Sequence, residues 1–123
     1  MVGIVLISHS GPLAAETAAL AAGVCGVEVV LEAAGGTEDG GLGTSPDLVA
    51  AAVERADRGD GVLLIPDLGG AALTARLFEG PGVVVADVPF VEGAISAAVT
   101  ASAGGSLEAV LAAAEEARHF RKL

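Results

Sequence analysis

The stretch Val2-Gly3-Ile4-Val5-Leu6-Ile7-Ser8-His9-Ser10-Gly11-Pro12 decides how this chain folds. Its six apolar residues, Val2 to Ile7, read as a buried strand. Gly11 and Pro12 then open a helix, because proline fits a first helical turn, where no intrahelical N–H bond is lost. A strand that runs straight into a helix places the connecting turn at the carboxyl edge of a sheet. His9 stands in that turn, beside outward-pointing helix N–H groups whose dipoles favour an anion such as phosphate. Taken alone, the turn is equally compatible with a histidine that caps the helix or fills the loop.

Outward from this stretch, Pro12 to about Ala22 is predicted as a helix and Val27 to Leu31 as a second strand. A glycine-rich loop from Gly35 to Thr44 follows. Ser45, Pro46 and Asp47 are a helix start, with serine as N-cap, proline at N1 and an acid in the first turn. The helix after them places Leu48, Val49, Ala52, Val53 and Ala56 on one face, and Glu54, Arg55 and Arg58 off it. Gly61 to Ile65 is a third strand, apolar throughout, as strands covered on both faces are. Asp67 follows it directly, and Leu68-Gly69-Gly70-Ala71-Ala72 leads into a helix to about Phe78. Val83 to Ala86 is the fourth strand. Pro89 opens a helix expected to turn Phe90, Val91, Ala94, Ile95, Ala98 and Val99 inward. Gly104-Gly105 breaks it, and Ser106 caps a last helix to about His119.

Strands alternating with helices imply right-handed crossovers and an α/β class. The expected fold is doubly wound and flavodoxin-like, with a mostly parallel sheet in the order 2-1-3-4 and helices on both faces. Its switch point falls between strands 1 and 3, where open α/β folds place their ligands. No linker, repeat or second domain is visible, so residues 1–123 are expected to form one domain.

Composition narrows the function. The net charge of −10 argues against nucleic acid, which calls for a basic surface. Phosphorylation would add negative charge, so a phosphoryl donor or acceptor protein should present a basic patch. The acidity is equally explained as a solubility device for an alanine-rich chain. A single cysteine, Cys25, forms no internal disulfide and fits a reducing cytosol. No signal peptide or long uninterrupted apolar run is present, so a soluble, cytoplasmic protein with no membrane span is expected. Two histidines far apart in sequence and one cysteine give no metal-ligand spacing, and no cofactor is expected.

A phosphate-binding P-loop is absent, and Gly40-Gly41-Leu42-Gly43 lacks the spacing and position of a dinucleotide fingerprint. That loop is expected to fold over the switch point or to pack at a subunit interface. A receiver domain would need an acidic pair after strand 1 and a lysine at the sheet edge. Here Ser8-His9 and the tail residue Lys122 stand instead.

What remains is a histidine and a carboxylate at the ends of neighbouring strands. If Asp67 accepts a hydrogen bond from one ring nitrogen of His9, the tautomer is fixed and the other nitrogen is free to attack phosphorus. Donors for the phosphoryl oxygens are expected from backbone N–H groups near Ser10, Gly11, Gly69 and Gly70, helped by the hydroxyls of Ser10 and Thr44. The bland reading of Asp67 is an N-cap for the helix that follows. His119 reads as a solvated cap, and Glu92 as either a first-turn acid or a partner contact.

Four stretches carry a resemblance: Ser8-His9-Ser10; Gly35-Gly36-Thr37 through Gly43-Thr44-Ser45; Asp67-Leu68-Gly69-Gly70-Ala71; and Pro89-Phe90-Val91-Glu92-Gly93-Ala94. With them the chain resembles the phosphotransferase subunits of phosphoenolpyruvate-dependent dihydroxyacetone kinases, themselves similar to the mannose-type enzyme IIA domains of the bacterial sugar phosphotransferase system. The resemblance implies that His9 is the phosphoryl acceptor on Nε2 and that Asp67 orients it through Nδ1. It implies HPr as donor and, as acceptor, ADP held on the nucleotide-binding subunit of the kinase. It also implies a homodimer. Mannose-type domains usually carry a tryptophan after the aspartate, where Leu68 stands. The dihydroxyacetone branch usually has a serine where Gly70 stands, so a hydroxyl is missing there and the backbone amide is left to act. The alternatives are a mannose-type enzyme IIA of a sugar transporter and a non-transferring regulatory module. Relatives often carry HPr-like and enzyme I-like domains, and none is expected in these residues.

Overall fold

The computed structural model describes residues 1–26 and 28–123. Among them the chain order is β1 (Gly3–Ser8), α1 (Gly11–Cys25), β2 (Val30–Gly35), α2 (Pro46–Ala56), β3 (Val62–Pro66), α3 (Gly69–Arg76), β4 (Val83–Val85), α4 (Phe90–Ser102) and α5 (Leu107–Glu116). A single 3-10 turn, Ala117–His119, continues α5. The sheet runs β2-β1-β3-β4, and each strand pair is parallel. This is the expected doubly wound order, with the switch point between β1 and β3.

Alternation along the two central strands divides the core in two. Ile4, Leu6, Leu63 and Ile65 point to the face covered by α1, α4 and α5, where they meet Ala21, Ala94, Ala98 and Val110. Val5, Ile7, Val62 and Leu64 point to the other face, against Val49, Ala52 and Ala56 of α2 and Ala71 and Ala75 of α3. Covered on both sides, β1 and β3 are buried at every residue. Serine caps start three of the helices: Ser10, Ser45 and Ser106 accept the N–H groups of Leu13, Leu48 and Ala109, each at 3.2 Å.

Helices rich in alanine come very close to the strands beneath them. A methyl carbon placed on Gly3 would lie 2.1 Å from the carbonyl oxygen of Ala56, at the end of α2. Since the obstacle is backbone, α2 itself would have to move. Gly3→Ala is therefore expected to lose about 1–3 kcal/mol, the usual range for overpacking. Urea denaturation checks this, and an unchanged midpoint would mean that α2 is free to shift.

Three sequence expectations need correction. The second strand begins at Val30 and runs to Gly35, later than the expected Val27 to Leu31, and Val27 itself lies outside the described residues. It is an edge strand whose Glu32 pairs with Arg55 of α2 at 2.6 Å, so a plain apolar run was a poor guide to it. The first helix persists beyond Ala22 to Cys25. The buried face of α4 is Gly93, Ala94, Ala97, Ala98 and Ala101, with Val99 48% exposed. Close contact with α1 and α5 admits small side chains and turns Val99 outward. No helix among the described residues is long and apolar enough to cross a membrane.

Candidate functional site

β1 ends at Ser8 and β3 at Pro66, so the two strands release His9 and Asp67 at the same edge of the sheet. The parallel ladder extends one step further, because Asp67 N–H donates to the carbonyl of Ile7 at 2.9 Å. That bond sets the start of the Asp67 side chain beside Ser8 and His9.

The carboxylate then gathers four donors. Oδ2 accepts the hydroxyl of Ser8 at 2.7 Å and the backbone N–H of His9 at 3.0 Å. Oδ1 accepts the N–H of Leu68 at 2.7 Å and stands 3.0 Å from Nδ1 of His9. Burial of Asp67 pushes its carboxyl up, but the bonds from the His9 ring, Ser8, His9 N–H and Leu68 N–H together outweigh this, and the carboxyl lies below its ordinary value. It is therefore ionised at neutral pH and has no proton to give. Nδ1 must supply the hydrogen of the contact, so in the neutral ring the lone pair sits on Nε2. Asp67 caps no helix with its side chain: the N-cap of α3 is Leu68.

Folding lowers the Asp67 carboxyl, so its stabilising effect is complete above the unfolded value near about 3.9. The effect fades as pH falls through the still lower folded value. The gap in Tm between wild type and Asp67→Asn is thus expected to narrow below about pH 4. A gap that stays constant into that acid range would contradict the assignment.

The His9 side chain is one-third exposed, at 33%, while that of Asp67 is 10% exposed. Nε2 faces the first turn of α3: a methyl carbon on Gly70 would stand 2.9 Å from it. The ring occupies the space a side chain at position 70 would need. Ala72 N–H makes the first bond of α3, to Leu68 O, so the amides of Gly69, Gly70 and Ala71 precede the intrahelical ladder. On the other side Ser10 caps α1, its oxygen accepting from Leu13, which leaves its hydroxyl proton to donate elsewhere. Gly11 is the first residue of that helix. The pair thus lies between two helix N-termini, an environment that favours an anion.

Two expected donors are engaged otherwise. The backbone N–H of Ser10 is taken by Ser8 Oγ at 3.0 Å. The Thr44 hydroxyl lies 2.8 Å from that of Thr74, which donates to Gly70 O at 3.3 Å. With Thr74's proton committed to Gly70, Thr44 is the donor in the first contact, and its proton fastens the loop to α3. The glycine loop does fold over the switch point. Gly36 N–H donates to Ser8 O at 3.0 Å and Gly43 N–H to His9 O at 2.9 Å. Gly35 is required there because a methyl carbon on it would meet Ser10 O at 2.4 Å, and Gly43 has φ 139°.

Ser8 was not among the site residues read from sequence. Its signals there were a polar side chain closing an otherwise apolar strand and a place in the Ser8-His9-Ser10 stretch. Glu92 lies elsewhere in the electrostatic pattern: it pairs with Lys122 at 2.9 Å, and that lysine lowers its carboxyl. Among the described residues no cluster of three or more His, Cys, Asp or Glu side chains is arranged to hold a metal. The concavity next to the pair, lined by Pro66, Asp67, Leu68, Gly69, Ala86 and Asp87 among others, has a volume of only about 140 Å³.

Residues 3–111 match the family described as PTS system fructose IIA component. The chain belongs to that family. The phosphotransferase subunit DhaM of the PTS-dependent dihydroxyacetone kinase of Lactococcus lactis subsp. lactis is 35% identical over 111 residues, which are 88% of this chain and 89% of that protein. The phosphoryl donor subunit DhaM of PEP-dependent dihydroxyacetone kinase 2 from Listeria innocua is 32% identical over 120 residues, 90% of this chain and 94% of that protein. A crystal structure of a protein of unknown function matches the IIA fold with a TM-score of 0.83 and 31% identity, covering 94% of each chain. The span matched to the IIA family holds all the residues that bond Asp67.

Proposed function

We propose that this IIA chain is a phosphohistidine relay subunit that accepts a phosphoryl group from HPr and passes it to ADP held on the nucleotide-binding subunit of a dihydroxyacetone kinase. The observation that carries the reading is the ionised Asp67, bonded to Nδ1 of a one-third exposed His9 whose Nε2 lone pair faces the start of α3. In the first step the Nε2 lone pair forms a bond to phosphorus as the bond to the donor breaks. The ring gains positive charge while Nδ1 keeps its hydrogen, and Asp67 stabilises that charge. In the second step a terminal oxygen of ADP attacks phosphorus, the bond to Nε2 breaks, and the neutral ring returns. Neither step needs a proton to move through the protein.

The Ser10 hydroxyl and the amides of Gly11, Gly69 and Gly70 serve the equatorial oxygens. Thr44 serves by holding the loop against α3. No sugar pocket is needed in such a subunit, which agrees with the small concavity beside the pair. Protein docking is supported by exposed apolar side chains around it. Leu68, next to Asp67, is 64% exposed, and Leu42, next to the loop residue that bonds His9, is 83% exposed. The net charge of −10 suits partners with basic rims. Relatives named as dihydroxyacetone kinase subunits favour that kinase over a sugar transporter. The family resemblance of the four sequence stretches extends the proposal to a homodimer in the cytoplasm.

The test combines the chain with phosphoenolpyruvate, enzyme I, HPr and the remaining kinase subunits, and follows dihydroxyacetone phosphate. Formation that requires this chain is expected. Uptake of phosphate that only a transporter's IIB protein discharges would move the assignment to sugar transport.

A further inference from the structure

Ser8, the last residue of β1, has no exposed surface. A buried hydroxyl is costly unless bonded, and this one is bonded twice. Its proton goes to Asp67 Oδ2 at 2.7 Å, and its oxygen accepts the N–H of Ser10 at 3.0 Å. These two bonds give the hydroxyl a fixed direction, with the carboxylate at one end and the start of α1 at the other.

We propose that Ser8 is a positioning residue for phosphoryl transfer at His9, holding Asp67 Oδ2 so that Oδ1 stays aimed at Nδ1. The proposal rests on the relay reading of His9. The terminal torsion of an aspartate is broad, so the carboxylate takes its direction from the groups bonded to its two oxygens. Ser8 and the His9 amide pin Oδ2 from the β1 side, and Leu68 N–H pins Oδ1 from the β3 side. Without Ser8, Oδ2 keeps the His9 amide alone, so the carboxylate is held less firmly and Oδ1 is aimed at the ring less of the time. The looser carboxylate weakens the preference for hydrogen on Nδ1 and so depletes the tautomer with a bare Nε2. Ser8 touches neither phosphorus nor the ring; it acts through Asp67.

The test compares wild type, Ser8→Ala and Ser8→Thr, the last of which restores the hydroxyl. Two readouts are used: the His9 ring tautomer by nitrogen-15 NMR of the unphosphorylated protein, and the rate of phosphorylation by phospho-HPr across donor concentrations. In Ser8→Ala the limiting rate is expected to fall about ten- to hundredfold, the worth of one hydrogen bond to a charged group. Half-saturation should stay put, because the buried Ser8 meets no partner. The ring should show a mixture of tautomers, and Ser8→Thr should recover both properties. A Ser8→Ala protein with the wild-type limiting rate and tautomer would overturn the proposal. If Ser8→Thr does not fold, Ser8→Cys, close to serine in size but a weak donor, should resemble Ser8→Ala; wild-type behaviour of that variant would overturn the proposal equally. Should wild type take no phosphate, the relay reading fails, and the NMR comparison alone decides whether Ser8 sets the tautomer.

Discussion

His9→Ala is expected to abolish phosphoryl transfer while leaving the fold intact. The two halves of that statement have separate causes. The ring is one-third exposed and contributes one of the four bonds to Asp67. The other three, from Ser8, the His9 backbone amide and Leu68, survive the substitution. Gly43 N–H still finds the carbonyl at position 9, so the glycine loop keeps its anchor. Stability should therefore change by no more than about 1–2 kcal/mol, a typical cost for one hydrogen bond. The chemistry has no such reserve, because no other nucleophilic nitrogen is described beside Asp67 and the second histidine lies in the turn after α5. Phosphate uptake from phospho-HPr should drop to background in a protein with an unchanged circular dichroism spectrum. Transfer persisting in the variant would place the phosphoryl group elsewhere.

Asp67→Asn is expected to reduce transfer by about 10⁴-fold, the scale seen when a histidine is held in the wrong tautomer. An amide keeps the shape of the carboxylate and replaces one acceptor with a donor. Each oxygen of Asp67 now faces two N–H or O–H groups, so either orientation of the asparagine NH₂ meets a backbone amide head-on. Placed toward the ring, the NH₂ also calls for a bare Nδ1, which puts hydrogen on Nε2 and removes the nucleophile. Placed toward Ser8, it leaves the His9 amide unsatisfied, and the oxygen still facing Nδ1 carries no charge. Neither arrangement stabilises the charge that phosphorylation brings to the imidazole. Rates of phosphorylation by phospho-HPr check this, and a loss below tenfold would mean that Asp67 is a structural partner only.

Much of this architecture is legible in the residues. The apolar runs at Val2 to Ile7 and Gly61 to Ile65 read directly as central strands, because both faces of those strands are covered. Their shared edge brings His9 and Asp67 together, which the doubly wound order required. The misreading of α4 has a physical source. Hydropathy favours large side chains, whereas packing at α4 favours small ones: Gly93, Ala97 and Ala101 are buried and Val99 is turned to solvent. Hydrogen-bond direction is the other illegible part. Sequence offered Ser10 and Thr44 as hydroxyl donors on equal terms, but the Thr44 proton is spent on Thr74 and only that of Ser10 is spare. The role of Ser8 depends on the register that sets Asp67 one step beyond Ile7, and no residue type announces a register.

The central claim is that the phosphoryl group is carried on Nε2 of His9 while Nδ1 keeps its hydrogen bond to Asp67. Phosphorus-31 and nitrogen-15 NMR of the histidine-labelled phosphoprotein measures both at once. One phosphate is expected, coupled to Nε2 of His9, with Nδ1 protonated. Coupling to Nδ1, a phosphate on His119, or no phosphate from a cognate phospho-HPr would contradict it.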